Sequence, residues 1–190
     1  MEIKLTHPFI YRSHNLTALL QNVNKLSTFC SRLEAQSLLF PDRYDSEKYK
    51  GDGLELLSEV LIKLSPIDNR IGIGNYEPII SKDIGVDGKG IGLNGKPATV
   101  QIKYRSNHKQ ILTANEDHLS NFFGTSREHF NVDKEDINNM LVITTGGSIS
   151  PFVQETMFNN KMRCIGYEDL RGLIDNNNLF WDIFRMLVKK

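Results

Sequence analysis

In the run Val100-Gln101-Ile102-Lys103-Tyr104 an amide and an ammonium stand two residues apart. An extended strand puts two such side chains on one face, with Val100 and Ile102 on the other. Upstream, the segment DIGVD (83–87) carries Asp83 and Asp87, and an apolar-periodic stretch at 52–64 carries Glu55 and Glu59. A carboxylate, an amide oxygen and an ammonium gathered at one end of a hairpin can hold a divalent cation and orient a water. An all-oxygen donor set suits Mg2+ or Mn2+. At about 100° per residue, Leu54, Leu56, Leu57, Val60, Leu61, Ile62 and Leu64 cover most of the helix at 52–64, leaving Glu55, Glu59 and Lys63 in a narrow polar wedge. Glu55 lies at the wedge edge beside Ile62, where it can border the core and reach a site at the sheet. Glu59, nearer the wedge centre, is expected to face solvent. A Gln-x-Lys pair is disfavoured inside a strand unless it faces water or a site.

Other chemistry is excluded by its surroundings. The segment GIGLNGK (90–96) has the spacing of a phosphate-binding P-loop, which requires a Ser or Thr after the Lys and a helix behind it. Here Pro97 follows and the chain continues as strand, so a glycine-rich hairpin is expected and no nucleotide cofactor. His7, His14, His108, His118 and His129 show no ligand spacing. Two cysteines, Cys30 and Cys164, are too few for a disulfide framework or a zinc ribbon and read as free thiols.

The elements that must position these groups follow from periodicity. Residues 15–40 read as one helix, with Leu16, Leu19, Leu20, Val23, Leu26, Phe29, Cys30 and Leu33 on its buried face. The polar segment FPDRYDSEKYKGDG reads as a linker between a helical N-terminal arm (1–48) and a main domain (49–190). A helix is expected over 52–64, stopping before Pro66, then β-type runs at 70–80, 84–93 and 98–104 with Asn94-Gly95 as a hairpin turn. Residues 114–123 read as helix and 140–145 as a buried strand. Ser150-Pro151 is an N-cap followed by a first-turn proline, opening a helix to 159. A short strand at 162–166 and helices at 167–174 and 178–188 complete the chain. This order predicts an α/β fold: a mixed sheet with helices on both faces.

Composition bounds the function classes. The chain has 190 residues, 39% of them hydrophobic, and 23 basic against 23 acidic groups, which describes a globular protein and excludes an indiscriminate polyanion binder. No run approaches the roughly 18–20 apolar residues of a membrane span, and the start MEIKLTHPFIYRS lacks the apolar stretch of a signal peptide. A cytoplasmic protein without a membrane partner is expected.

GDGLE (51–55), DIGVD (83–87) and QIK (101–103) together resemble, in order, the motif series of the PD-(D/E)XK nuclease superfamily. The nearest resemblance is to its Mrr-like branch, in which a Gln replaces the acid of the last motif. The run at 141–170 is similar to the strand–helix–strand–helix that closes that domain, so the resemblance spans about 51–174 and leaves 1–50 without a counterpart. It implies a restriction-endonuclease-like fold and a metal-dependent endodeoxyribonuclease. By the same resemblance Asp87 is the central metal ligand, Gln101 contributes a side-chain oxygen and Ile102 its backbone carbonyl. Glu55 completes the metal shell, and Lys103 positions the attacking water and counters phosphorane charge. Gln for acid lowers the site charge by one unit and favours one metal ion over two. A rival reading keeps the fold as a DNA-binding or structure-recognising module with little catalysis.

The substrate side is written in local charge. Residues 88–115 carry Lys89, Lys96, Lys103, Arg105 and Lys109 and no acid, a local +5 with Tyr104 and His108 among it. Contacts of this kind give affinity for a DNA backbone without sequence choice. Ser148 and Ser150, before the helix at Pro151, can donate to a phosphate at that helix N-terminus, or Ser150 can serve simply as the cap. The apolar face of 15–40 packs on its own domain, pairs with a second copy, or leaves its opposite face to DNA. A homodimer would set two single-strand cutters on opposite strands.

Overall fold

In the computed structural model, which describes residues 3–12, 16–39, 44–80 and 85–189, the chain lays down its sheet in spatial order β1-β2-β3-β4-β5. The strands are β1 (Ile73–Pro78), β2 (Gly88–Gly92), β3 (Pro97–Lys103), β4 (Met140–Thr144) and β5 (Arg163–Ile165). The first three form an antiparallel meander, and β3, β4 and β5 run parallel, with Gln101 opposite Val142 and Lys103 opposite Thr144. The sheet is therefore mixed, as the alternation of elements predicts. The expected hairpin closes between β2 and β3: Gly95 takes φ +77°, and the Asn94 side chain accepts from Lys96 N at 3.1 Å. Because a strand and not a helix follows Lys96, this glycine-rich run is not a phosphate loop.

Helices cover both faces. On one side lie α1 (Phe9–Arg12), α2 (Leu16–Leu20), α3 (Leu26–Ser37), α4 (Ser46–Leu64), α7 (Tyr167–Ile174) and α8 (Asn178–Leu187). They share a core with the sheet residues Ile73, Tyr76, Val100, Ile102, Leu141 and Ile143. On the other side α5 (Leu119–Glu128) and α6 (Pro151–Phe158) pack with Val86, Met140 and Val142. Alternation along β3 decides the layers: Val100 and Ile102 enter the α4 side, while Thr99 turns the other way to Ser126 of α5, Oγ to Oγ 2.8 Å.

Two expectations are corrected. The single helix over 15–40 is two. Asn22 adopts φ +55°, a left-handed conformation Asn tolerates, which ends α2. The first amide of α3, Leu26 N, is then capped at 2.7 Å by Asp175 from the end of α7, a partner 149 residues away that no local pattern reveals. The second helix begins at Ser46 and not near Asp52. Asp45 caps it by accepting from Lys48 N at 2.8 Å, and Glu47 favours its first turn. The second half of the expected linker is thus helix, and its first residues, 40–43, lie outside the described residues, as do His14 and Asp83. No helix among the described residues is long and apolar enough to cross a membrane.

Candidate active site

The site is built where β2 parts from β3 and α4 crosses the sheet. Asp87 stands just before β2 and is half-buried; its backbone N–H donates to Val100 O at 2.9 Å. Its carboxylate turns inward to the next strand, where Oδ2 accepts the Ile102 N–H at 2.6 Å. The N–H and C=O of a strand residue point to the same side, so the Ile102 carbonyl lies on this edge too. Gln101 is 0% exposed. Its Nε2 donates to Gly85 O at 3.3 Å, two residues before Asp87, while its Oε1 is buried without a hydrogen-bond partner among the described residues. A buried amide oxygen left without a partner costs about 1–3 kcal/mol, so a donor or a cation reaching it would be favoured. Lys103, half-buried at the end of β3, forms no hydrogen bond or ion pair through its ammonium among the described residues, while its carbonyl accepts from Thr144 Oγ1 at 2.8 Å.

From the helix side come Glu55 and Glu59 of α4. The residue that feels the charges of both groups is Tyr76, buried on β1. Burial, and then the charges of Asp87, Glu55 and Glu59, push its phenol well above the ordinary tyrosine range. All three carboxylates therefore lie within electrostatic reach of one phenol. The ring lies against Gly88, whose missing Cβ it occupies, which is why a glycine must follow Asp87. Glu55 Oε2 is bonded to His7 Nε2 at 2.8 Å. His7, Asp52 and Glu55 each offer a ligand atom, and these lie within 4.8 Å of one another. The Asp52 carboxylate is itself held by the Tyr44 hydroxyl and by Lys48 at 3.0 Å.

The structure overturns the solvent-facing reading of Glu59, which is 0% exposed. The N-terminal segment runs over the polar wedge of α4. Glu59 accepts from Thr6 N at 2.8 Å, Thr6 Oγ1 at 2.9 Å and His7 N at 3.0 Å, and pairs with Lys63 at 2.6 Å. Chain amides that cover a charged face need acceptors, and Glu59 supplies them. His7 and Tyr76 were missed by sequence reasoning because residues 1–50 matched no motif and Tyr76 reads as an ordinary strand aromatic.

The expected DNA-contact residues divide. Lys89 pairs with Glu77 at 3.4 Å, Lys96 with Asp136 at 2.7 Å and Asp133 at 3.8 Å, and Arg105 with the buried Asp117. Asp136 holds the Lys96 proton more firmly than usual by hydrogen bonding and charge. Three of the five positive charges at 88–115 thus meet acids from elsewhere in the chain, so the uncompensated +5 is corrected to a smaller excess at Lys103 and the exposed Lys109. Tyr104 offers no stacking face: it is buried, its hydroxyl donates to Glu34 at 2.9 Å, and Lys50 lies 5.6 Å from its ring centroid. His108 stacks on Tyr167 at 3.7 Å between centroids, with Nδ1 donating to Thr145 O at 2.8 Å. Its Nε2 has no hydrogen-bond partner among the described residues. Ser150 is the N-cap residue of α6 without a side-chain cap bond, and Ser148 is exposed beside it. Cys30 and Cys164 are inert as nucleophiles, since burial lifts their thiols to about 12 and about 11.

Two groups of donors could serve an oxygen-seeking divalent cation: Asp87 and the Ile102 carbonyl, next to the buried Gln101, and the His7–Asp52–Glu55 cluster on the α4 side. No family model matches this chain, and no curated protein or solved structure matches it.

Proposed function

We propose that this protein is a metal-dependent DNA endonuclease of restriction-endonuclease-like architecture, hydrolysing phosphodiester bonds with Mg2+ or Mn2+. One observation carries the reading. Among the described residues the buried Gln101 amide oxygen has no hydrogen-bond partner, the adjacent Ile102 N–H donates to Asp87, and Lys103 at the end of the same strand has no ion pair. The element order also agrees, with a helix bearing Glu55, a three-strand meander bearing Asp87 and Gln101-Ile102-Lys103, then helix, strand, helix and strand.

Asp87, Gln101 and the Ile102 carbonyl would hold the cation, with Glu55 closing the shell. When bound, the ion supplies a Lewis acid for the non-bridging phosphate oxygens and lowers the pKa of an attacking water. Lys103 orients that water and balances the charge that builds on phosphorus. Lys109 extends the positive edge, with His108 preceding it in the chain. Lys89, Lys96 and Arg105 reach DNA only by exchanging their present acids. With one such site per chain, a homodimer would set one site on each strand. A monomeric mass with nicking only would remove that part of the proposal.

The test is a Mg2+ cleavage assay on plasmid, linear duplex, single-stranded and four-way-junction DNA. Asp87→Ala and Lys103→Ala are each expected to reduce the rate on the order of 10²–10³-fold, with far-UV circular dichroism unchanged. Undiminished cleavage by either variant ends the assignment. Metal-independent binding with no cleavage on any substrate would replace it with a DNA-binding module on the same fold.

A further inference from the structure

Residues 4–9 cross the outer face of α4 in a fixed register. Lys63 Nζ holds Lys4 O at 2.8 Å, Glu59 collects the Thr6 and His7 amides, and Phe9 packs edge-on against Tyr49 with ring centroids 4.9 Å apart. One turn before Glu59 on the same helix stands Glu55. The strap therefore delivers the His7 ring to Glu55 with both ring nitrogens assigned. The Phe9 N–H donates to Nδ1 at 3.3 Å, so the ring proton resides on Nε2, which donates to Glu55 Oε2 at 2.8 Å. The ring is 5% exposed.

We infer that His7 is a positioning residue for Glu55: the N-terminal strap fixes an imidazole whose Nε2–H holds the Glu55 carboxylate in place to close the metal shell. This rests on the nuclease reading of Glu55 given above. The chemistry explains the choice of residue. A lysine in this place would bring a flexible ammonium that competes with the cation, whereas an imidazole held at Nδ1 by the Phe9 N–H presents one directed donor at Nε2. Donors that orient a ligating carboxylate from outside the metal shell raise affinity without touching the ion. The strap also completes the site from a segment distant in sequence, 48 residues before Glu55.

The test is Mn2+ binding to the full chain, followed by electron paramagnetic resonance and calorimetry, with thermal melting alongside. His7→Ala is expected to weaken Mn2+ about tenfold, while His7→Gln, whose amide N–H occupies the Nε2 position, stays within about threefold of wild type. The double variant His7→Ala/Glu55→Ala should bind no more weakly than Glu55→Ala alone, because two residues acting as one unit are not additive. Equal affinity in wild type and His7→Ala overturns the inference. So does an equal loss with no rescue in His7→Gln, which would make His7 itself a ligand. Long-range proton–nitrogen correlation on wild type reads the tautomer without any variant: the Nε2–H form is expected, and the Nδ1–H form overturns the role. A wild-type chain that binds no Mn2+ overturns the nuclease reading together with this one, whereas binding that His7→Ala leaves intact overturns this one alone.

Discussion

Gln101 is where a single atom has the largest consequence. A carboxylate there would be a buried charge next to the residue that Asp87 bonds, with no donor among the described residues to offset it. The amide keeps the acceptor and removes the charge, at the cost of an oxygen that no described group satisfies. Gln101→Glu is therefore expected to lower the stability of the metal-free chain by about 2–4 kcal/mol, since a buried carboxylate with no donor is costly. The same variant should recover much of that loss in Mg2+. Thermal melts with and without the ion read both. Equal destabilisation in the two conditions would show that Oε1 does not face a cation. The neighbouring Lys103 completes the contrast: it is half-buried and meets no acid among the described residues, although Lys96 and Arg105 on the same hairpin and loop each have one.

At the scale of elements, α4 is the organiser. One face carries Leu54, Leu57, Val60 and Leu61 into the core, and the polar wedge, which an isolated helix would offer to water, is roofed by the N-terminal strap. The staple is Glu59, which serves two backbone amides, a hydroxyl and Lys63 at once. Glu59→Ala is expected to cost about 3–5 kcal/mol, because it leaves the Lys63 ammonium and two amides without their buried acceptor. The urea midpoint should fall accordingly. Mn2+ affinity should fall with it, since the strap that carries His7 is released. A midpoint within about 0.5 kcal/mol of wild type, the range of a surface change, would contradict the buried role.

Across the whole molecule, both ends of the chain meet in one core. Phe29 of α3 lies 6.1 Å from Trp181 and 6.3 Å from Phe184 of α8, ring centroid to ring centroid, and Arg185 donates to Leu20 O and Val23 O at 3.3 and 2.7 Å. The apolar face of α2 and α3 is thus covered from within the chain, by α4 and α8. A fragment spanning 49–190 would expose Trp181, Phe184 and the Gly53 face of α4 on which Leu33 sits. Such a fragment is expected to be insoluble, or to show the expanded, dye-binding behaviour of a collapsed chain without fixed packing. A soluble fragment with a cooperative melt would mean that the N-terminal helices are a separable arm.

The sequence by itself determined the class of the fold and the order of its elements, because hydrophobic period and turn chemistry are local. Asn94-Gly95 closes a hairpin wherever it sits between strands, and the unbroken apolar run at Met140 makes a buried strand. It also placed Asp87, Gln101 and Lys103 near one another, since two lie two residues apart on one strand and the hairpin folds the third back toward them. What it could not determine were partners brought from afar. Glu59 looked solvated because its cover comes from residues 4–9. The 15–40 helix looked continuous because its interruption is fixed by Asn22 and by Asp175, more than 140 residues on. The positive segment at 88–115 looked uncompensated because Glu77, Asp117 and Asp136 reach it only in three dimensions. In each case a charged or polar group was read by its neighbours in sequence, while its free energy is set by its neighbours in space.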